Sequence, residues 1–526
     1  MIKIFKFRAN DLNPSAGKQI EFNTAVSKDF FHFVNDRETI VCHYIDANGQ
    51  EKNVIESSLS LSPARGDYKI YQNSNGKPNL KDFFLGTLHL KMEKNGDDYF
   101  ALRQRGGNHY DLFYFPNFMN ITNLYSSLAL NRNGFQLNDV LEIDLDKIDD
   151  NNKPYTIALR SKPFMILAGI SGTGKSRIVR EFAYMTCPKE LQDEDGTTPG
   201  NYCMIEVKPN WHDSTELLGY YSAMNKEYMF TKFDRFVVKA WLNKDVPFFV
   251  CLDEMNLAPV EQYFAEFLSV LETRSRDKEG HIASGALIEA KYFDDSSKMV
   301  KELGLDEITG EWAIKVREHI VNDGLTLPPN LMIIGTVNMD DTTYQFSRKV
   351  IDRAMTIEMN GGELKNMFGN SKNLQYRADP IGLSAFKARY LNADEVVEAH
   401  ADYANRIREI LPQKIEDLNK MLEYTPFQVS YRVLNEMVVY TGVLLDDVMA
   451  KGEEFDFDQI AANAFDKITL MKILPRIEGD EDMFIRGGQN VLDHLQSLFA
   501  PESASHKKLT EMRERLDRTG FTRFWP

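Results

Sequence analysis

One stretch in the first half of the chain places glycines, a lysine and a hydroxyl at a spacing suited to phosphate. Residues 169–176, Gly-Ile-Ser-Gly-Thr-Gly-Lys-Ser, fit the pattern G-x-x-x-x-G-K-[ST]. Glycines allow backbone N–H groups to turn inward around phosphate oxygens, and a following helix N-terminus adds a favourable dipole. The pattern predicts that Lys175 reaches the β- and γ-phosphates of a nucleotide and that Ser176 holds Mg²⁺. The remaining members of this cradle are Gly169, Gly172, Thr173 and Gly174.

The elements around the loop must be a strand before it and a helix after it. The apolar run 164–168, Phe-Met-Ile-Leu-Ala, predicts a buried strand, and the pattern at 177–183 predicts a helix. The alternative is a chance match in a glycine-containing turn, which does not require these flanking elements. Their presence favours a nucleotide-binding P-loop.

A second apolar strand ends in two acidic residues. Residues 248–252 are Phe-Phe-Val-Cys-Leu, followed by Asp253 and Glu254. In this arrangement Asp253 enters the Mg²⁺ coordination shell, and Glu254 orients and deprotonates a water that attacks the γ-phosphate. The alternative is an ordinary strand followed by a solvated acidic turn. The position behind a P-loop favours the catalytic interpretation.

Two further polar residues follow a third apolar strand, 331–337. Asn338 ends that strand and is positioned to hold the attacking water. Arg353 follows 15 residues later and is a candidate arginine finger, which would stabilise charge on the transferring phosphoryl group in a neighbouring subunit. The alternative for Arg353 is a surface salt bridge.

The order of these motifs resembles that of the AAA+ superfamily. Segments 208–220 and 474–479 are similar to the McrB-like branch, the motor subunits of modification-dependent restriction systems, and the resemblance covers residues 155–526. It implies Walker A roles for Lys175 and Ser176, Walker B roles for Asp253 and Glu254, and a sensor 1 role for Asn338. It also implies that Arg353 is the finger and that Arg432, in the sensor 2 position, contacts the nucleotide in cis.

The resemblance implies a Mg²⁺-dependent GTPase or ATPase that forms a ring, expected to be hexameric. Such a motor would power DNA recognition or translocation in a restriction or anti-phage system. No convincing nuclease motif occurs in the chain, so a separate McrC-like nuclease subunit is the expected partner. Residues 337–342 read Val-Asn-Met-Asp-Asp-Thr, whereas the branch typically has Met-Asn-x-x-Asp-Arg at this position. This departure leaves the choice between GTP and ATP open.

The predicted fold class is a multidomain α+β protein. Its parts are a β-rich N-terminal recognition domain (1–125), a connector (126–154), a P-loop α/β AAA+ domain with a parallel sheet (155–364) and a C-terminal helical lid (365–526). Aromatic and β-branched runs, such as 30–34 and 39–45, predict strands in the first domain. Helical patterns at 395–422 and 433–449 predict helices in the last.

The N-terminal domain contains basic and aromatic residues that are candidates for DNA binding. They are Arg65, Tyr68, Lys69, Arg103 and Arg105. Arginine reads guanine edges or phosphates, and a tyrosine can stack on an extruded base. The alternative, equally favoured, is ordinary exposed loops with half-buried tyrosines. Residues 1–130 carry 15 Lys and Arg against 14 Asp and Glu, while the whole chain has a net charge of −16, so DNA would favour this region over the acidic remainder.

Composition excludes several other classes. The chain has no apolar run of membrane-spanning length, no N-terminal signal pattern and four scattered cysteines, which together predict a cytoplasmic protein without a membrane partner. Two rival functions remain. One is a MoxR- or midasin-like chaperone that remodels proteins and does not act on DNA. The other is a switch that binds nucleotide and barely hydrolyses it, which Glu254, Asn338 and Arg353 weigh against.

Overall fold

A computed structural model gives the fold over most of the chain. It describes residues 2–7, 20–22, 30–46, 50–62, 67–70, 77–91, 98–115, 148–193, 197–277, 282–293, 297–305, 311–339, 344, 346–359, 374–451, 455–486 and 489–525. The chain divides into two units, one formed by Met1–Ile143 with Arg276–His281 and the other by Asp144–Ser275 with Ile282–Pro526. The division falls within the predicted connector, of which residues 148–154 are described.

The first unit is built on a seven-stranded sheet. The strands are β1 (Ile2–Lys6), β2 (Glu21–Phe22), β3 (Arg37–Ile45), β4 (Glu51–Ser62), β5 (Asp67–Ile70), β6 (Tyr99–Gly106) and β7 (His109–Phe115). Their order is β1-β6-β7-β3-β4-β5-β2. Neighbours are antiparallel except β3 and β7, which run parallel. A short helix, α1 (Leu80–Asp82), continues as a π-helical turn over Phe83–Thr87.

Aromatic rings fill the core of this unit. Phe30, Phe84 and Phe100 are buried there, together with Tyr110. The strand predicted at 30–34 is wrong, because His32 adopts a left-handed backbone conformation with a φ of 57° that interrupts an extended run. The run instead supplies three buried phenylalanine rings, which pack on one another and on Tyr110.

Fifteen strands follow along the chain. They are β8 (Phe164–Gly169), β9 (Tyr202–Glu206), β10 (Tyr220–Ser222), β11 (Glu227–Met229), β12 (Phe248–Asp253), β13 (Ser275–Arg276), β14 (Ile282–Ala283), β15 (Ala286–Ile288), β16 (Leu325–Thr326), β17 (Leu331–Asn338), β18 (Met355–Glu358), β19 (Glu478–Asp480), β20 (Ile485–Arg486), β21 (Gln489–Asn490) and β22 (Phe521–Arg523); the count covers the described residues.

Five of these strands form the parallel sheet of the second unit, in the order β18-β8-β17-β12-β9. Numbered along the chain as strands one to five, the order is 5-1-4-3-2. The carboxyl ends of β8, β17 and β12 are therefore neighbours at one edge of the sheet. All six residues of β8 are buried, as are most of β12 and β17, as expected of parallel strands covered on both faces.

Helices surround this sheet and form the C-terminal region. They are α2 (Lys153–Ser161), α3 (Lys175–Thr186), α4 (Thr215–Leu218), α5 (Lys232–Leu242), α6 (Val260–Tyr263), α7 (Ala265–Glu272), α8 (Ser297–Glu302), α9 (Glu311–Asp323), α10 (Arg348–Ile351), α11 (Ala393–Ala399), α12 (Ala404–Met421), α13 (Tyr431–Lys451), α14 (Phe457–Ile468), α15 (Glu481–Phe484), α16 (Val491–Gln496) and α17 (Ala504–Thr519). Short 3-10 turns cover Lys189–Leu191, Met255–Leu257, Ala290–Tyr292, Leu383–Ala385, Ala401–Tyr403 and Leu474–Arg476, and a π-helical turn covers Thr469–Ile473.

The C-terminal helices follow the predicted pattern with one difference. The segment predicted as one helix over 395–422 is two helices, α11 and α12, separated at His400 to Tyr403. Both the predicted AAA+ domain, except 276–281, and the predicted lid belong to the second unit, so the boundary at 364–365 stays a prediction. Within the described ranges no helix is both long and apolar enough to cross a bilayer.

Candidate active site

The predicted phosphate loop joins β8 to α3. Gly172 and Gly174 have φ angles of 83° and 85°, a conformation that glycine adopts readily and other residues rarely. Gly174 is the N-cap of α3, so the helix begins directly at Lys175. The loop and the first turn of the helix thereby offer backbone N–H groups of the kind that bind phosphate.

Lys175 folds back into the loop that precedes it. Its side chain is nearly buried, and its Nζ donates hydrogen bonds to the carbonyl oxygens of Gly169 at 2.9 Å and Ile170 at 2.7 Å. Thr173 Oγ1 lies 3.4 Å from the same nitrogen. The loop therefore encloses its own positive charge, where a phosphate would bind.

Ser176 faces the end of β12. Its Oγ donates a hydrogen bond to Asp253 Oδ1 at 2.5 Å, and Thr336 Oγ1 of β17 donates to the same oxygen at 2.7 Å. Three adjacent elements thus bring two hydroxyls onto one carboxylate. The sequence predicted Ser176 and Asp253 for this position, but assigned no role to Thr336.

Glu254 follows Asp253 in an unusual backbone conformation. Its φ and ψ are 50° and 49°, in the left-handed region that costs a non-glycine residue about 1–2 kcal/mol. Two contacts from β17 hold it: the Glu254 N–H donates to Thr336 Oγ1 at 3.0 Å, and Asn338 Nδ2 donates to Glu254 Oε1 at 2.7 Å. Asn256 Nδ2 in turn donates to the Asn338 carbonyl oxygen at 2.9 Å. Strain held in this way at a polar residue is typical of functional sites.

The Ser176 hydroxyl and the Asp253 carboxylate fit Mg²⁺. This ion prefers oxygen ligands and is commonly bound by one or two carboxylates together with substrate phosphates and water. Clusters of three or more His, Cys, Asp or Glu side chains suited to a metal are absent from the described residues. Burial raises the pKa of the Cys251 thiol, two residues before Asp253, to about 12.

Arg353 and Arg432 meet on one carboxylate. Arg353 Nε lies 3.1 Å from Glu272 Oε1, and Arg432 Nη2 lies 2.8 Å from Glu272 Oε2. Arg353 also donates from Nη1 to the Lys349 carbonyl oxygen at 3.0 Å. The predicted finger and the predicted sensor 2 arginine are therefore side by side at the end of α7, a partnership that the sequence did not indicate.

These two arginines lie towards the amino ends of the parallel strands, whereas the P-loop lies at their carboxyl ends. Met355 of β18 is paired with Met165 of β8, so Arg353 precedes the strand at about the level of residue 163. Gly169 is six residues further along β8, about 20 Å away at a rise of about 3.3 Å per residue. In this structure Glu272 holds Arg432 beside Arg353, and the cis contact of Arg432 with the nucleotide stays a prediction.

The N-terminal candidates for DNA binding are engaged within the first unit. Arg65 lies outside the described residues. Tyr68 is buried in the aromatic core and donates its hydroxyl hydrogen to the Asn35 carbonyl oxygen at 2.6 Å, while Lys69 is also buried. Both residues lie on β5 rather than in an exposed loop, and the buried Tyr68 ring is not available for stacking on a base.

Arg103 and Arg105 are compensated by acidic neighbours. Both bind Asp111 across the β6–β7 hairpin, Arg103 Nη2 at 2.5 Å, and Arg105 Nη2 also lies 2.8 Å from Glu51 Oε2. The pKa of Glu51 is lowered by its hydrogen bonds to His43 and Arg105. Two positive charges thus face two negative ones, which weakens attraction to phosphate. A DNA-binding role for these residues stays a prediction.

Comparisons with known proteins give limited matches. A family model described as "Domain of unknown function (DUF8727)" matches residues 383–521, within the C-terminal helical region. One similar solved structure is that of a presumed ATPase from Cytophaga hutchinsonii. The two sequences are 12% identical, the match covers 67% of this chain and 90% of the Cytophaga chain, and the TM-score is 0.34. No curated protein matches the sequence.

The second unit itself has a mixed architecture of strands and helices. A parallel five-stranded sheet is followed by a helical C-terminal region. The glycine loop follows the first strand of the sheet, the two acids end the third, and the asparagine ends the fourth. This is the arrangement that the motif order implied.

Proposed function

We propose that this protein is a Mg²⁺-dependent AAA+ nucleoside triphosphatase. The observation that carries the proposal is the placement of Glu254. Its N–H donates to Thr336 and its carboxylate accepts from Asn338, both on β17, which fixes Glu254 beside the Ser176–Asp253 pair. A protein that only bound nucleotide would have no need of a strained, doubly held carboxylate at this position.

The residues divide the work of hydrolysis among them. Lys175 and the loop N–H groups bind the β- and γ-phosphates, and Ser176 and Asp253 hold Mg²⁺, which when bound neutralises charge on those phosphates. Glu254 accepts a proton from the attacking water, while Asn338 keeps the Glu254 carboxylate in place. Thr336 orients Asp253 and Glu254 together.

Hydrolysis in this proposal requires a second copy of the chain. By strand rise, the backbone at Arg353 lies about 20 Å from the P-loop of its own chain. Arg432 shares the Glu272 carboxylate with Arg353, so both would serve the nucleotide of a neighbouring copy. Such a head-to-tail contact forms a ring when its rotation closes, and a hexamer is the expected form. The rate per chain should therefore rise with protein concentration and then reach a plateau.

On the resemblance to the McrB-like branch, we propose that the motor serves a restriction or anti-phage system. It would act on DNA through the N-terminal domain, with a McrC-like nuclease as partner and GTP or ATP as the hydrolysed nucleotide. The second candidate is a MoxR- or midasin-like remodelling protein. The compensated Arg103 and Arg105 and the buried Tyr68 favour this candidate, because they remove residues expected to contact DNA.

The test is hydrolysis of GTP and ATP side by side, with and without duplex DNA. Wild type is compared with Glu254→Gln and with Glu261→Gln, which removes an exposed carboxylate seven residues away. We expect Glu254→Gln to bind nucleotide, accumulate as an assembled ring and turn over at least about 100-fold more slowly, and Glu261→Gln to match wild type. Full activity of Glu254→Gln would refute the catalytic assignment. Stimulation by DNA supports the restriction motor, and indifference to DNA supports protein remodelling.

A further inference from the structure

A buried lysine holds the backbone around Arg353. Lys472 is 1% exposed, and its Nζ is surrounded by four oxygens. They are the carbonyl oxygens of Ile351 at 3.2 Å, Asp352 at 2.7 Å and Ala354 at 2.8 Å, and Glu436 Oε2 at 2.7 Å. An ammonium group has three N–H donors, so its hydrogen-bonding capacity is fully used.

The position is a costly one for a charge. Burial lowers the pKa of Lys472 to about 8, while Glu436 favours the protonated form. Burial also acts on Glu436, yet its pKa is lowered because Lys162 and Lys472 both stabilise the carboxylate. Apolar residues in place of a buried ion pair are often neutral or stabilising. Stability alone therefore does not explain a lysine here, and the groups that it binds are informative.

Those groups are the end of one helix and the turn that carries Arg353. The last carbonyl oxygens of a helix lack partners within the helix and interact favourably with a cation. Lys472 supplies that cation to the end of α10 and continues across the turn into β18. Arg353 is the residue between the two carbonyl groups that Lys472 binds most closely.

Helix α13 contacts Arg353 by two routes. Arg432 and Glu436 are four residues apart on α13 and so share a face. Arg432 reaches the Arg353 side chain through Glu272. Glu436 reaches the backbone on both sides of Arg353 through Lys472. The same helix therefore constrains both the position and the direction of the guanidinium.

We infer that Lys472, held by Glu436, is a positioning residue that sets Arg353 for the γ-phosphate of a nucleotide bound to a neighbouring copy. This inference rests on the proposed function. A displacement of about 1 Å in a group that acts on the transition state can lower the rate about 100-fold. Loss of Lys472 should act on the neighbour's nucleotide and leave the P-loop of its own chain intact.

Mixing experiments separate positioning from general damage. Lys472→Met keeps an unbranched side chain and its own P-loop, whereas Lys175→Ala keeps Arg353 and Lys472 but loses the P-loop. We expect Lys472→Met to bind Mg²⁺–ATP within about twofold of wild type and to hydrolyse it about 100-fold more slowly. Mixed with Lys175→Ala, it should regain activity well above the sum of the two proteins. Mixed with Arg353→Ala, it should not.

Controls keep the outcomes distinct. Lys467→Met removes a partly exposed lysine on the preceding helix and should match wild type. If Lys472→Met does not fold, Glu436→Gln replaces it and should show a smaller loss and the same complementation. Wild-type turnover by Lys472→Met, or lost activity that Lys175→Ala does not restore, would overturn the inference. If wild type does not hydrolyse nucleotide, or Arg353→Ala and Lys175→Ala do not complement each other, the proposed function itself fails.

Discussion

Thr336→Val isolates the hydroxyl that joins the two acidic residues of the site. Valine has nearly the shape of threonine but cannot hydrogen bond, and residue 336 is 2% exposed. The substitution removes the donor to Asp253 Oδ1 and the acceptor of the Glu254 N–H. Packing of β17 should be retained, so the effect falls on the two carboxylates.

The magnitude follows from these two hydrogen bonds. A hydrogen bond to a charged group contributes about 1.5–3 kcal/mol, and a buried donor left unpaired costs about 1–3 kcal/mol. The two effects share one hydroxyl and do not add fully, so a loss of about 2–3 kcal/mol in transition-state stabilisation is expected. At about 1.4 kcal/mol per tenfold, kcat/KM should fall about 30- to 140-fold.

The assay is steady-state hydrolysis at varied Mg²⁺ concentration. Thr336→Val should lower kcat and require more Mg²⁺, whereas Thr336→Ser, which keeps the hydroxyl, should retain most activity. Thr356→Val is the matched control: Thr356 is buried on β18, and its hydroxyl has no hydrogen-bond partner among the described residues. If Thr336→Val turned over at the wild-type rate with unchanged Mg²⁺ dependence, the hydroxyl would not organise the site and the reasoning would fail.

Three further predictions concern the site and its support. Asn338→Ala should lower kcat about 100-fold with little change in nucleotide affinity, because Glu254 loses the donor that fixes its carboxylate; binding and turnover measured on one preparation decide this, and a matching loss of affinity would contradict it. Arg353→Ala should lower turnover about 1,000-fold but change the free energy of unfolding by less than about 1 kcal/mol, since its ion pair with Glu272 is partly exposed; equal losses of turnover and stability would indicate a structural salt bridge instead. Burial raises the pKa of Asp234, a capping residue of α5, to about 6, so its folded pKa exceeds its unfolded value. The charged carboxylate therefore lowers the free energy of unfolding above pH 6, and this destabilisation is relieved as the pH falls below 6. Relative to Asp234→Asn, the free energy of unfolding of wild type should rise by about 1 kcal/mol as the pH is lowered from 7.5 to 5, measured by urea unfolding. A difference between the two proteins that does not depend on pH would refute the shift.

Sequence reasoning reached the parts of the site that local pattern encodes. The glycine loop is recognisable because strand, loop and helix are contiguous, and Asp253 and Glu254 because they end an apolar strand. Thr336 was missed although a signal existed. Residues i and i+2 of a strand face the same side, so Thr336 lies on the same face of β17 as Asn338.

Contacts between distant segments were beyond local pattern. Lys472 stands in a largely apolar run, 468–474, which marks it as unusual. Its three carbonyl partners lie about 120 residues earlier in the chain, and no periodicity indicates them. The pairing of Arg103 with Asp111 was closer to recognition. These residues are opposite each other across a hairpin that turns at Gly107, where opposite charges attract.

The geometry of the active site depends on the pairing of β12 with β17. Leu252 is paired with Gly335, so the end of β12 lies beside Thr336, and Glu254 lies within reach of both Thr336 and Asn338. A shift of one residue in this pairing would turn the side chains of Thr336 and Asn338 to the opposite face of the sheet. Asp253 would then lose its second hydroxyl, and Glu254 would lose the two contacts that offset its left-handed backbone. The apolar side chains of the two strands, buried on both faces, fix the register, and the same packing that stabilises the sheet therefore sets the position of the catalytic carboxylate.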